Sequence, residues 1–183
     1  KSIPNKIPYI FSDKLLIESW SKKIDKRKFN IGVCWHGSTY ADAEGRSFPL
    51  KFLEKISTFD NVALFSLQKT DGVNELNSLP KNMKVNTFGV NLDKEGAFLD
   101  SARIMQNMDL IISADTAITH LAGALGCKIW LILKFLPDWR WMLNMDNSPW
   151  YPFMKIFRQE SDGDWSMAFS FLEKELQKII TNK

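Results

Sequence analysis

From residue 31 onward, short runs of apolar and β-branched residues alternate with stretches whose apolar positions recur at helical spacing. The runs predict strands at Ile31–Trp35, Val62–Gln68, Lys84–Phe88, Asp109–Ala114, Ile129–Lys134 and Met154–Arg158. Helices are expected between them, near Pro49–Thr58, Gly72–Asn77, Ala97–Asn107, Thr116–Gly126 and Trp139–Met145. A last helix is expected from about Asp164 to Ile180. Leu53 and Ile56 share one helical face, as do Phe98, Ala102 and Met105, and then Phe169, Leu172, Leu176 and Ile179. Ahead of the rhythm, Asp13 to Ile24 reads as a short helix with Leu16, Ile17 and Trp20 on one side, and Ser12 or Asp13 is placed to cap it.

Strand–helix alternation calls for an α/β fold, a doubly wound parallel six-stranded sheet with helices on both faces. Right-handed crossovers and this pattern predict the strand order 3-2-1-4-5-6. Residues 1–30 form a leading segment or linker with a short helix, and residues 31–183 form the domain. The basic run Lys22, Lys23, Lys26, Arg27, Lys28 reads as a solvated face. At 183 residues the chain is about one domain long and can bury a core unaided. A hydrophobic fraction of 45% and a charged fraction of 25% exclude disorder, collagen-like repeats and disulfide scaffolds. A net charge of +3 does not point to a nucleic-acid partner. No segment reaches the roughly 18 apolar residues of a membrane span. Two cysteines suit a reducing, cytoplasmic compartment. Cys34 and Cys127 should lie on either side of the fourth strand, too far apart for a disulfide. The chain opens on Lys1 rather than Met, so a piece of a longer protein is expected, with part of an active site.

In such a sheet, ligands bind beyond the carboxyl ends of the strands where strand order reverses, here between strands one and four. Two polar loops meet there. The segment Ser113-Ala114-Asp115-Thr116-Ala117-Ile118-Thr119-His120 runs into a helix rich in small residues, Ala122, Gly123 and Ala124. Free amides and the dipole at that helix start favour an anion. Thr116 and His120 are four apart and share a face. The plainer reading makes Asp115 or Thr116 a cap and His120 a core histidine. The loop from His36 to Phe48 offers Gly37 for close backbone approach, hydroxyls at Ser38 and Thr39, and the Arg46 fork. Its plainer reading is a solvent loop with Arg46 paired to Asp42 or Glu44. It matches neither a dinucleotide-binding glycine loop nor a P-loop, against a dehydrogenase and a P-loop ATPase. After strand five, Pro137-Asp138-Trp139-Arg140-Trp141 borders the same crevice; a tryptophan there could stack on a base or sugar and Arg140 could reach an anion, or both could pack the domain edge. Ser148-Pro149-Trp150-Tyr151-Pro152 reads as rigid packing.

These segments, together with Ile31 to Gly37, Arg46 to Leu50, Ser66 to Lys69, Asp109 to Gly126, Phe157 to Gln159 and Gly163 to Trp165, resemble the tetratricopeptide-repeat-linked bacterial glycosyltransferases. That family is related to the heptosyltransferase group and more distantly to O-GlcNAc transferases. The resemblance covers nearly the whole chain, including Pro8 to Ile10. It implies a GT-B enzyme of two Rossmann-like domains, of which this chain is the carboxyl-terminal one that binds a nucleotide-diphosphate sugar. By the resemblance, Asp115, Thr116, Ala117 and His120 grip the donor phosphates, Arg46 and Ser38 contact them from the first loop, and Gln68 stands where a donor-side group often lies. It also implies partners, namely an amino-terminal acceptor domain and the repeats. His36 stands where the family usually has a small residue, and the loop from Ser38 to Arg46 is shorter. The general base of related inverting enzymes lies in the other domain, so no catalytic residue is assigned. No cofactor and no metal are expected, because a helix start, hydroxyls and cations can stabilise a diphosphate leaving group. Asp162-Gly163-Asp164 spells D-x-D but falls before the last helix, where it reads as a cap. Two rivals stand: a non-catalytic interaction module, marked by a crevice blocked by His36 or Tyr40, and another sugar-nucleotide enzyme such as an epimerase.

Overall fold

The computed structural model describes residues 3–38 and 44–181. The elements are α1 (Lys14–Ser21), β1 (Phe29–Cys34), a 3₁₀ turn (Leu50–Leu53) running into α2 (Glu54–Ser57), β2 (Val62–Ser66) and a 3₁₀ turn (Val73–Ser78). Then come β3 (Val85–Asn86), α3 (Leu99–Met105), β4 (Leu110–Ala114), α4 (Ala117–Ala124), β5 (Ile129–Leu133), a 3₁₀ turn (Trp139–Trp141), β6 (Met154–Arg158) and α5 (Ser166–Thr181). The six strands form one sheet in the order β3-β2-β1-β4-β5-β6, every pair parallel, as expected. Val33 pairs with Ser66 on one side and Ile112 on the other, so β1 and β4 are the central neighbours.

The apolar runs explain the sheet's position. β1, β4 and β5 are buried along their whole lengths, as strands covered on both faces must be. Alternate side chains then divide between two cores. Ile31, Val33, Ile112 and Ile132 pack with Leu50, Leu53, Phe169 and Leu172. Ile111, Ile129 and Leu131 pack with Ile104, Met105 and Ala122. Each fully buried aliphatic side chain contributes about 1.5–3 kcal/mol. Both cysteines are free thiols.

Several boundaries differ from the expectation. β1 starts at Phe29, where its amide finds the Asn61 carbonyl. The stretches after Gly72 and before Met145 close only 3₁₀ turns. Gly72 holds a left-handed φ of 79°, and Met142, at φ 51°, ends the second turn. Phe98 leaves the helical face assigned to it: its φ is 64°, it precedes α3, and it is exposed. Ile179 is also exposed, whereas Phe169, Leu172 and Leu176 are buried. Asp13 caps α1 through the Leu15 amide at 2.8 Å. Asp164 accepts from the Ser166 amide at 2.9 Å, at the start of α5.

The leading segment lies against the helices. The Tyr9 and Ile10 amides both donate to the Ala124 carbonyl, and Trp20 meets Phe88 edge-on. Lys22, Lys23, Lys26, Arg27 and Lys28 are all exposed, as expected, and the Lys26 ammonium also bonds to the Asn107 Oδ1 and carbonyl at 3.0 and 3.2 Å. Among the described residues, no helix is long and apolar enough to cross a membrane.

Candidate anion-binding site at the switch point

The carboxyl ends of β1 and β4 lie side by side while their following segments diverge, which opens a crevice. A cavity of about 510 Å³ occupies it. Ser38, Arg46 and Gln68 line one wall, Asp115, Thr116, Ala117 and His120 the other, and Arg140 the rim. Thus every residue singled out for donor binding reaches one cavity. A larger cavity of about 830 Å³ lies between β6 and α5, and none of these residues borders it.

At the start of α4 the expected cap is absent. Thr116 holds the cap position with extended backbone, φ −139° and ψ 172°, yet its side chain makes no capping bond. Its hydroxyl lies 3.2 Å from Ser113 Oγ and 3.7 Å from Cys34 Sγ instead. Asp115 also turns away from capping: its buried carboxylate lies 3.9 Å from Arg46 Nε. The first turn of α4 therefore meets the cavity without a side-chain acceptor on its amides, with the positive end of the dipole toward the opening.

Arg46 is not a solvent residue. Its side chain is 24% exposed, and its Nε is buried with no hydrogen-bond partner. Its nearby carboxylate is Asp115 rather than Glu44, whose carbonyl accepts from Lys134 at 2.7 Å; Asp42 lies outside the described residues, with Thr39 and Tyr40. Arg140 lies 3.2 Å from Asp138, and its Nε too is buried and unpartnered. Two guanidiniums thus border one cavity, each with a buried Nε left unpaired, which costs about 1–3 kcal/mol.

His120 is packed like a core histidine and also borders the cavity. Its ring is half-buried, stacked on Trp141 at 5.2 Å, with Nδ1 3.0 Å from the Tyr151 hydroxyl, and still it borders the cavity. Burial pushes its pKa below the ordinary value; Asp115 opposes that shift and Arg140 adds to it. The small residues of α4 serve this clamp. A side chain at Gly123 would collide with the Tyr151 ring.

Gln68 is a strut. Its Oε1 accepts from the Trp35 and His36 amides at 3.2 and 3.0 Å, and its Nε2 donates to the His36 carbonyl at 3.0 Å. That fixes the chain as it leaves β1. Ser47 Oγ then receives the Gly37 amide at 3.0 Å, which returns Arg46 to the cavity. His36 packs where a Gly72 side chain would stand, so it forms wall rather than plug.

Sequence reasoning missed Lys69 and Cys34 as lining of the cavity, and it missed that Tyr151, read as rigid packing, holds His120. Lys69 offered one signal, a cation directly after a buried strand; Tyr151 offered none, since its contact depends on the path of the chain after β5. Among the described residues, no group of three or more His, Cys, Asp or Glu is arranged to hold a metal ion.

The site can be set beside known proteins. Over 169 residues the chain is 24% identical to Protein FlbA of Caulobacter vibrioides, a match that covers 90% of this chain and 28% of that protein. Its fold is similar to that of the Escherichia coli ADP-heptose lps heptosyltransferase II, with a TM-score of 0.71 at 10% identity, over 98% of this chain and 55% of that one. The chain therefore spans about a quarter of the first relative and about half of the second. Residues 50–129, which include β2 to β4, all of α4 and the cavity-lining segment from Asp115 to His120, match the model of glycosyltransferase family 9 (heptosyltransferase).

Proposed function

We propose that this chain is the donor-binding half of a GT-B glycosyltransferase, and that it holds a nucleotide-diphosphate sugar with the diphosphate at the start of α4. One observation carries the reading: an uncapped helix start opens onto the same cavity as two arginines with buried, unpartnered Nε groups. The family match over residues 50–129 supports glycosyl transfer as the chemistry.

Transfer leaves a diphosphate carrying developing negative charge. The α4 amides, the Thr116 hydroxyl and the guanidiniums of Arg46 and Arg140 are placed in advance to receive it. Asp115 holds Arg46 in position when no anion is bound. His120, clamped by Tyr151 and Trp141, offers a ring edge beside the same oxygens. With charge supplied this way, the proposed reaction needs no metal, and it inverts the anomeric centre. The acceptor and the base that deprotonates it belong to an amino-terminal domain, and tetratricopeptide repeats of a longer protein are its proposed companions, in the cytoplasm.

Calorimetric titration of ADP, UDP and GDP into the chain tests the reading. One of them should bind at a single site, and Arg46→Ala and Thr116→Ala should weaken it, the former by roughly tenfold or more. Absence of binding by all three, or an Arg46→Ala variant that binds as tightly as wild type, overturns it.

A further inference from the structure

We infer that the Trp139 indole, which stands outside the cavity beside its lining residue Arg140, is a stacking platform for the glycosyl ring of the donor. This rests on the diphosphate reading above and adds the residue that recognises the sugar.

The turn Trp139–Trp141 sends three neighbouring side chains to three places. Trp141 is fully buried against His120. Arg140 borders the cavity. Trp139 is 72% exposed. Such an indole on a mobile loop would mean little, but this turn is pinned from several sides. Asp138 accepts from the Arg140 amide at 3.0 Å. The Trp150 indole donates to the Arg140 carbonyl at 3.0 Å. Arg158 donates to the Met142 carbonyl at 2.7 Å and to the Trp141 carbonyl at 3.3 Å. The Trp150 ring then stands nearly perpendicular to Trp139, at 84° and 6.5 Å. A large apolar surface is thus held still in solvent, a poor arrangement for folding and a good one for binding.

Position identifies the occupant. The Arg140 guanidinium lies 5.9 Å from the Trp139 ring centre, so the indole is one side chain removed from the proposed diphosphate. On the opposite side, the cavity adjoins a narrower slot of about 210 Å³ that shares Gln68 and Lys69 with it and is walled by Val73, Leu76, Phe88 and Leu92. A flat base suits that slot. The sugar then leaves the diphosphate toward β5, where the apolar C–H face of a pyranose can lie on the indole.

The test is calorimetry on the full chain with three pairs: ADP and ADP-glucose, UDP and UDP-N-acetylglucosamine, GDP and GDP-mannose. For the pair that binds, Trp139→Ala should weaken the nucleotide sugar by roughly five- to tenfold and leave the parent diphosphate unchanged. Trp139→Phe should keep most of the sugar affinity. Circular dichroism and thermal melts of both variants should match wild type, since the side chain is exposed. Equal losses for both members of a pair, no loss for either, or a sugar that binds no better than its diphosphate overturns the platform while leaving the diphosphate site intact. Trp139-dependent binding of free methyl glycosides would assign the indole to an acceptor and overturn it as well. Failure of every diphosphate to bind wild type removes the reading beneath it.

Discussion

The Tyr151 hydroxyl lies 3.0 Å from His120 Nδ1, across 31 residues of chain. That single contact ties the segment before β6 to the helix that faces the cavity. When the hydroxyl donates to Nδ1, the neutral ring carries its proton on Nε2, which has no partner among the described residues. The tyrosine ring fits only because Gly123 has no side chain.

Two substitutions probe this clamp. Tyr151→Phe should cost about 1 kcal/mol, through loss of the hydroxyl's contacts with His120 and Tyr9. Gly123→Ala should cost more, about 1–3 kcal/mol, because the methyl group displaces the ring. Urea denaturation of both variants ranks them, and the reverse order would remove the glycine from the argument.

His120 gives stability a pH dependence of known sign. Its folded pKa lies below the ordinary 6.5, so the unfolded chain takes up the proton first as pH falls. Stability is unaffected well above that value and declines as pH drops through it toward the folded pKa. His120→Gln should flatten this decline. Denaturation midpoints at about pH 7.5 and about pH 5.5 measure the effect, and identical slopes in both proteins would refute it.

Gln68→Leu should destabilise by roughly 2–3 kcal/mol although it preserves bulk. It strands the Trp35 and His36 amides and the His36 carbonyl. Hydrogen exchange at the His36 amide should quicken in step with the loss. A variant with wild-type exchange and stability would show that the strut is dispensable.

Both thiols should resist alkylation in the folded protein. Burial pushes Cys34 and Cys127 up to about 11, so only about one in a thousand is thiolate near pH 8. Mass spectrometry after iodoacetamide should find two modified cysteines in urea and close to none without it. Rapid native labelling of Cys34 would mean that the floor of the cavity opens.

Much of the fold was legible in the amino acids. Ile129–Leu133 is apolar throughout and Leu110–Ala114 is apolar but for Ser113, without alternation, as a strand covered on both faces needs. The helical stretches between such runs then left one reasonable sheet order. The crevice followed from that order, and so did the residues gathered around it. Less legible were the short connections after Gly72 and before Met142, where 3₁₀ turns stand in place of helices.

Local chemistry thus dictated which segments become strands, where they are covered, and which polar side chains arrive at the switch point. Only packing at long range chose what those side chains do there. Asp115 could cap a helix or face an arginine, and it faces Arg46 because the loop after β1 brings that guanidinium within 3.9 Å. Gln68 could meet a ligand or the backbone, and it meets the backbone because β2 ends beside the exit of β1. His120 could be buried or open to the crevice, and Tyr151 holds it half-buried at the edge of the cavity. Each choice is a contact between residues far apart along the chain, and neighbours in space of that kind leave no periodic trace in the order of amino acids.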